Sequence, residues 1–186
     1  MTRISDWLYR ISTGWVSLVA LGVFLIFTIL VLPRQTASAE QNNAGAGTPD
    51  LSFYYSSAEL YRMAEAYGEQ GRQAYLQARW TFDLLWPIVY AAFLSTAISW
   101  LFKPRLPLGS KWRIANLVPL MGMLFDYLEN ISTSLVMLRY PQPCPVGAVF
   151  APIFTPLKWI SVGGSFILLL IGIAARLLKW INNLRV

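Results

Sequence analysis

The stretch IANLVPLMGMLFDYLENISTSLVML, Ile114–Leu138, decides the reading of this chain. It is long enough to cross a bilayer, because about 20 apolar residues span a hydrocarbon core of about 30 Å. Yet its second half carries Asp126, Glu129 and Asn130. With a rise of about 1.5 Å per residue counted from Arg113, Asp126 lies roughly 20 Å deep and Glu129 roughly 24 Å deep. A carboxyl group at such depth costs on the order of 3 kcal/mol even on lenient insertion scales, so it faces protein or water and points to function by default. Asp126, Glu129, Asn130 and Thr133 follow i, i+3, i+4, i+7 spacing, which puts them on one helical stripe.

Three further stretches are apolar enough to span, giving spans at about 15–32, 82–102, 114–138 and 152–178. The expected fold is an all-α integral membrane protein: a four-helix membrane bundle forming a single domain over residues 1–186. The composition agrees, with 56% hydrophobic and only 13% charged residues against about 25% charged in soluble domains. Arg3 and Arg10 before the first span, with Ala37-Ser38-Ala39 after it, resemble a cleaved signal. The apolar run is longer than a signal core, so an uncleaved anchor is expected.

Orientation follows from the basic residues. Arg3 and Arg10, then Lys103, Arg105, Lys111 and Arg113, then Arg176, Lys179 and Arg185 all fall on one side of four spans. Both termini are therefore expected in the cytoplasm, in a bacterial-type inner membrane. The net charge of +6 is topology on this reading, and no nucleic-acid partner is expected.

Residues 33–80 are then extracytoplasmic. Gln35–Pro49, rich in Ala, Gly, Asn and Thr, reads as a flexible linker. A helix follows, capped by Ser56 or Ser57 with Glu59 in its first turn. Leu60, Met63, Tyr67, Ala74 and Ala78 give it an apolar face, expected to lie on the membrane surface or to bend up from the second span. Pro141, Pro143 and Pro145 stiffen the last outer turn. Pro152 and Pro156 mark the start of the fourth helix, and Pro87 and Pro119 are expected to kink the second and third.

The second span offers a partner stripe in Asp83, Pro87, Tyr90 and Leu94, with Tyr90 level with Asp126. Lys158 on the fourth span comes to the height of Asp83 and Glu129. Asp83, Glu129 and Lys158, with Arg79 or Arg139, are thus expected to form one ionic cluster opening outward. Lys158 has a simpler reading as a snorkelling boundary residue. Asp126, Glu129 and Asn130 have one as interhelical hydrogen-bond glue.

The chain has no His and one cysteine, Cys144. That removes the usual metal and haem ligands and any internal disulfide, so neither metal nor cofactor is expected. No phosphate loop, nucleophile elbow or metalloprotease motif occurs. Ser161, Gly164, Ser165 and Gly172 place small residues along the fourth helix, which suits close packing against another helix or subunit. The leading expectation is an accessory or interaction subunit, or a binder of lipid or another hydrophobic ligand. Its partners would be membrane lipids, other membrane subunits or a second copy of itself. The alternatives are a membrane-embedded enzyme on a lipid-like substrate and a small proton-coupled carrier. The enzyme would use Asp126 or Glu129 as acid or base, with Tyr90 orienting the substrate.

Overall fold

A computed structural model describes residues 3–184, and Arg185 lies outside them. The fold is helical throughout, with no strand among the described residues. Among the described residues three helical stretches are long and apolar enough to cross a membrane: Gly14–Asn42, Gly68–Phe102 and Pro145–Asn183.

Helix α1 (Arg3–Ile11) buries Ser5, Leu8 and Tyr9 and exposes Ile4 and Trp7. Thr13 then caps α2 (Gly14–Ile26), its hydroxyl accepting from the Val16 N–H at 3.3 Å. The chain does not become a loose linker after the apolar run. It widens to a π turn at Phe27–Val31 and continues as α3 (Leu32–Asn42). Pro33 has no N–H to give to the preceding turn, and the wider turn falls just where that donor is missing. Beyond it, Gln35, Ala37, Ala39, Glu40 and Gln41 are good helix formers. The glycines that suggested flexibility act only after Asn42, where Gly45 and Gly47 take positive φ.

The expected outer helix is two helices, α4 (Ser57–Ala66) and α5 (Gly68–Arg79). Ser56 caps the first through a capping box with Glu59. The Ser56 N–H donates to Glu59 at 2.8 Å and holds that carboxyl below the ordinary carboxylate range. The break falls at Gly68, whose φ of +61° glycine adopts without the strain a side chain would bring. Leu60 and Ala64 of α4 are fully buried against the far ends of the last two helices. Helix α5 is followed after a short turn by α6 (Phe82–Phe102).

A 3₁₀ segment, Lys111–Leu117, leads into α7 (Val118–Arg139), so Pro119 sits in a first turn where proline is tolerated. The last helix, α8 (Pro145–Leu184), starts earlier than the expected 152 and carries Pro152 and Pro156 inside it. Pro152 cannot donate to the carbonyl of Ala148, and the Ser57 hydroxyl of α4 donates to that carbonyl instead at 2.5 Å. Helices α7 and α8 approach closely at Gly147, where an added Cβ would stand 2.6 Å from the Ser132 carbonyl oxygen.

The interior has two apolar clusters. Tyr90, Phe93, Leu94 and Ile98 of α6 gather Phe24, Trp86, Val162 and Phe166. Tyr55, Leu60, Tyr75, Val136 and Met137 form the other, under α4 and α5. The opposite surface is apolar, with Leu18, Val19 and Ile29 on one side and Ile167, Leu170 and Ile171 on another all exposed. Apolar area on that scale suits acyl chains, not water.

Candidate functional site

Between these two clusters lies a chain of buried polar groups. Lys158 of α8 sits 2.5 Å from Glu129 Oε2 and 4.0 Å from Asp126 Oδ1. Tyr90 of α6 donates its hydroxyl hydrogen to Asp126 Oδ2 at 3.1 Å. On the other side, Arg79 at the end of α5 pairs with Asp50, with Asp83 at 2.8 Å, and donates to Asn130 Oδ1 at 3.4 Å. Its guanidinium lies 4.6 Å from the centre of the Tyr75 ring.

Asn130 joins the two ionic centres. Its carbonyl oxygen accepts from Arg79, and its amide donates to Asp126 at 3.3 Å. An amide can do both at once, whereas a carboxylate there could only accept. The i, i+4 spacing of Asp126 and Asn130 on α7 makes the second bond local and inexpensive.

Glu129 is completely buried. Thr155, one turn before Lys158 on α8, donates to Glu129 Oε1 at 2.6 Å, and the Tyr55 hydroxyl approaches the same oxygen at 3.5 Å. Burial and the negative charge of Glu129 hold the Tyr55 phenol well above its ordinary pKa, so it can serve as a donor. Removing one partner from such a buried, hydrogen-bonded charge pair leaves the other charge uncompensated.

The structure therefore brings together Arg79, Asp83, Tyr90, Asp126, Glu129, Asn130 and Lys158. Lys158 is buried and doubly paired, not snorkelling. Thr133 is buried beside them but donates to the Glu129 carbonyl of its own helix at 3.0 Å. Arg139 is exposed and takes no part. Sequence reasoning missed Asp50, Tyr55, Tyr75 and Thr155. Thr155 was within reach, since i−3 from Lys158 puts it on the same face of α8. Asp50 sits in a short 3₁₀ turn after a glycine-rich stretch and carries no periodic signal.

A cavity of ≈ 370 Å³ adjoins this cluster. Asp50, Arg79, Asp83, Asp126 and Lys158 border one part of it, and Phe24, Trp86, Val162 and Phe166 the other. Phe24 stacks on Trp86 with ring centres 5.6 Å apart and lies 6.3 Å from Phe166, so the apolar part is walled by aromatic rings. Helix α3 closes one side, packed on α5 where Gly71 lets the Asn42 carbonyl approach. Helices α2 and α3 make no extended contact with α8 among the described residues. The cavity is thus bordered by Leu32 and Thr36 on one flank and by Trp159 and Val162 on the other, with no close helix packing between them.

Among the described residues no group of His, Cys, Asp and Glu is arranged to hold a metal ion. Protein-family models, curated proteins and solved structures offer no match to this chain. What fold and site define is a helical membrane-class protein with a charged, hydrogen-bonded centre beside a partly apolar cavity.

Proposed function

We propose that this is a multi-pass membrane protein that takes up one amphiphilic molecule from the surrounding bilayer, with its polar end at the Arg79–Lys158 cluster. The observation that carries the reading is the cavity itself. Its wall changes from Phe24, Trp86 and Phe166 to Asp83, Asp126 and Lys158 within one continuous space. At ≈ 370 Å³ it falls in the range of roughly 300–1,000 Å³ typical of ligand pockets. It suits a polar head and part of one chain better than a whole two-chain lipid.

Helix α7 serves as a fourth span on this reading. Its 22 residues reach about 33 Å, and α6 and α8 flank it. Lys103, Arg105, Lys111 and Arg113 then lie on the same side as Arg3, Arg10, Arg176 and Lys179, which supports cytoplasmic termini. Helices α4 and α5 lie on the outer side and roof the cluster. The flank between α3 and α8 admits the ligand laterally from the outer leaflet.

Native mass spectrometry of the full chain, purified in mild detergent, tests the reading. One amphiphile per chain is expected to survive purification, and to be lost in Ala39→Trp, which fills the cavity from α3. No retained species, or retention unchanged by Ala39→Trp, would overturn it.

A second reading, chemistry on the bound molecule, rests on Asp126 and Lys158 both bordering the cavity. Glu129 lies behind Lys158 with Thr155 and Tyr55, so Asp126 is the better placed acid or base. A change in mass of the retained species on incubation, present in the wild type and absent in Asp126→Asn, is the outcome this second reading requires.

A further inference from the structure

We infer that the polar end of the bound amphiphile is cationic, an ammonium-type nitrogen rather than a carboxylate or phosphate. This rests on the cavity being a ligand site, as proposed above.

The inference comes from the inventory of charges. Asp50, Asp83 and Asp126 border the cavity, and Glu129 stands directly behind Lys158. The only cations bordering it among the described residues are Arg79 and Lys158. Each already faces two carboxylates: Arg79 meets Asp50 and Asp83, and Lys158 meets Glu129 and Asp126. Arg79 is further engaged by Asn130 and the Tyr75 ring. Arg79 Nε makes no hydrogen bond, but an anionic head that took it up would bring another negative charge among four carboxylates that face two cations, in a region of low dielectric.

Carboxylate charge, by contrast, is in excess. Asp83 is 7% exposed and borders the cavity, and its Oδ2 shares one guanidinium nitrogen of Arg79, at 2.8 Å, with Asp50 and Asn130. Asp50 Oδ2 accepts no hydrogen bond. A buried carboxylate oxygen without a donor is costly, so a ligand that brings N–H donors and positive charge is the complementary one. Trp86 and Tyr90 also border the cavity, and aromatic rings suit a cation. Both properties reject the same competitor: an anion supplies neither donors nor compensating charge.

The test uses three probes with one twelve-carbon chain: dodecylammonium, dodecanol and dodecanoate. They are titrated at pH 7 into the full chain in neutral detergent and read by native mass spectrometry. An alkylammonium stays charged there, as lysine does. Dodecylammonium is expected to bind about tenfold or more tighter than dodecanoate, with dodecanol between them. Asp83→Asn is expected to narrow the gap between dodecylammonium and dodecanol. Dodecanoate binding as well as or better than dodecylammonium, or dodecanol equalling dodecylammonium, overturns the inference and leaves the ligand site standing. Binding of all three unchanged by Ala39→Trp overturns the ligand site instead.

Discussion

The two ends of this molecule both bury a cation and an asparagine, and they use them differently. At the α1 end, Arg113 lies 3.7 Å from the centre of the Tyr9 ring and donates to the Leu106 carbonyl at 3.2 Å. Asn116 there donates to Ser99 Oγ at 2.9 Å and to the Ser5 carbonyl at 3.2 Å, and accepts from the Ser5 hydroxyl at 2.8 Å. No carboxylate enters these bonds, and the effect is to clamp α1 against α6 and the 3₁₀ segment. At the α4–α5 end, Asn130 joins two ion pairs, carboxylates outnumber cations, and a cavity adjoins them. Both regions hold buried polar atoms without a hydrogen bond, Arg113 Nε in the first and Asp50 Oδ2 in the second. Only the second combines an excess of carboxylates with an adjoining cavity. Buried polar groups alone do not distinguish a fastening from a binding site, and unbalanced charge beside a cavity does.

The comparison breaks most visibly at Lys158. Lys158→Met strands Glu129 and Asp126 without their cation and is expected to destabilise the chain by about 3–5 kcal/mol, read by thermal unfolding in mild detergent. Lys158→Met combined with Glu129→Gln should regain part of that loss, with a coupling of about 0.5–3 kcal/mol. Strictly additive losses would mean the pair is not coupled.

A smaller effect sharpens the contrast from the other end. Asn116→Ala removes three hydrogen bonds to Ser5 and Ser99 and should cost about 1–3 kcal/mol. Retention of the amphiphile in the folded fraction should be unchanged. If retention falls with Asn116→Ala, the two regions are not independent and the distinction between them fails.

The smallest effect lies in the roof. Ser56→Ala removes the cap of α4 and should cost about 1 kcal/mol, seen as faster amide exchange in α4 alone. The Glu59 carboxyl on this cap is held below its ordinary value by the Ser56 N–H. Its contribution is therefore full above the unfolded-state pKa of about 4.3 and fades only as pH falls through the lower native value. Loss of α4 protection already between pH 7 and pH 5 would contradict this.

Much of the architecture was legible in hydropathy, and the α7 stripe was legible in spacing. Asp126 and Asn130 share a helix face whatever packs on it, and a height count was enough to bring Lys158 toward Glu129. The remainder depended on tertiary folding. Asp50 and Tyr55 reach the cluster from a segment with no periodic pattern, carried there by the packing of α4 on α7 and α8. The helix through Leu32–Asn42 was obscured because Pro33 and the nearby glycines outweighed a run of good helix formers. The early start of α8 was obscured because Pro152 reads as a boundary until Ser57 supplies the missing donor from elsewhere.

Photo-crosslinking with a diazirine-bearing dodecylammonium, mapped by peptide sequencing on the full chain in a bilayer disc, tests the central claim most directly. The account predicts label concentrated on the facing flanks of the cavity, Leu32–Thr36 of α3 and Trp159–Phe166 of α8, and absent there in Ala39→Trp. Label spread evenly over the exposed apolar surface of α8, Ile167–Ile171 included, and indifferent to that substitution, would contradict it.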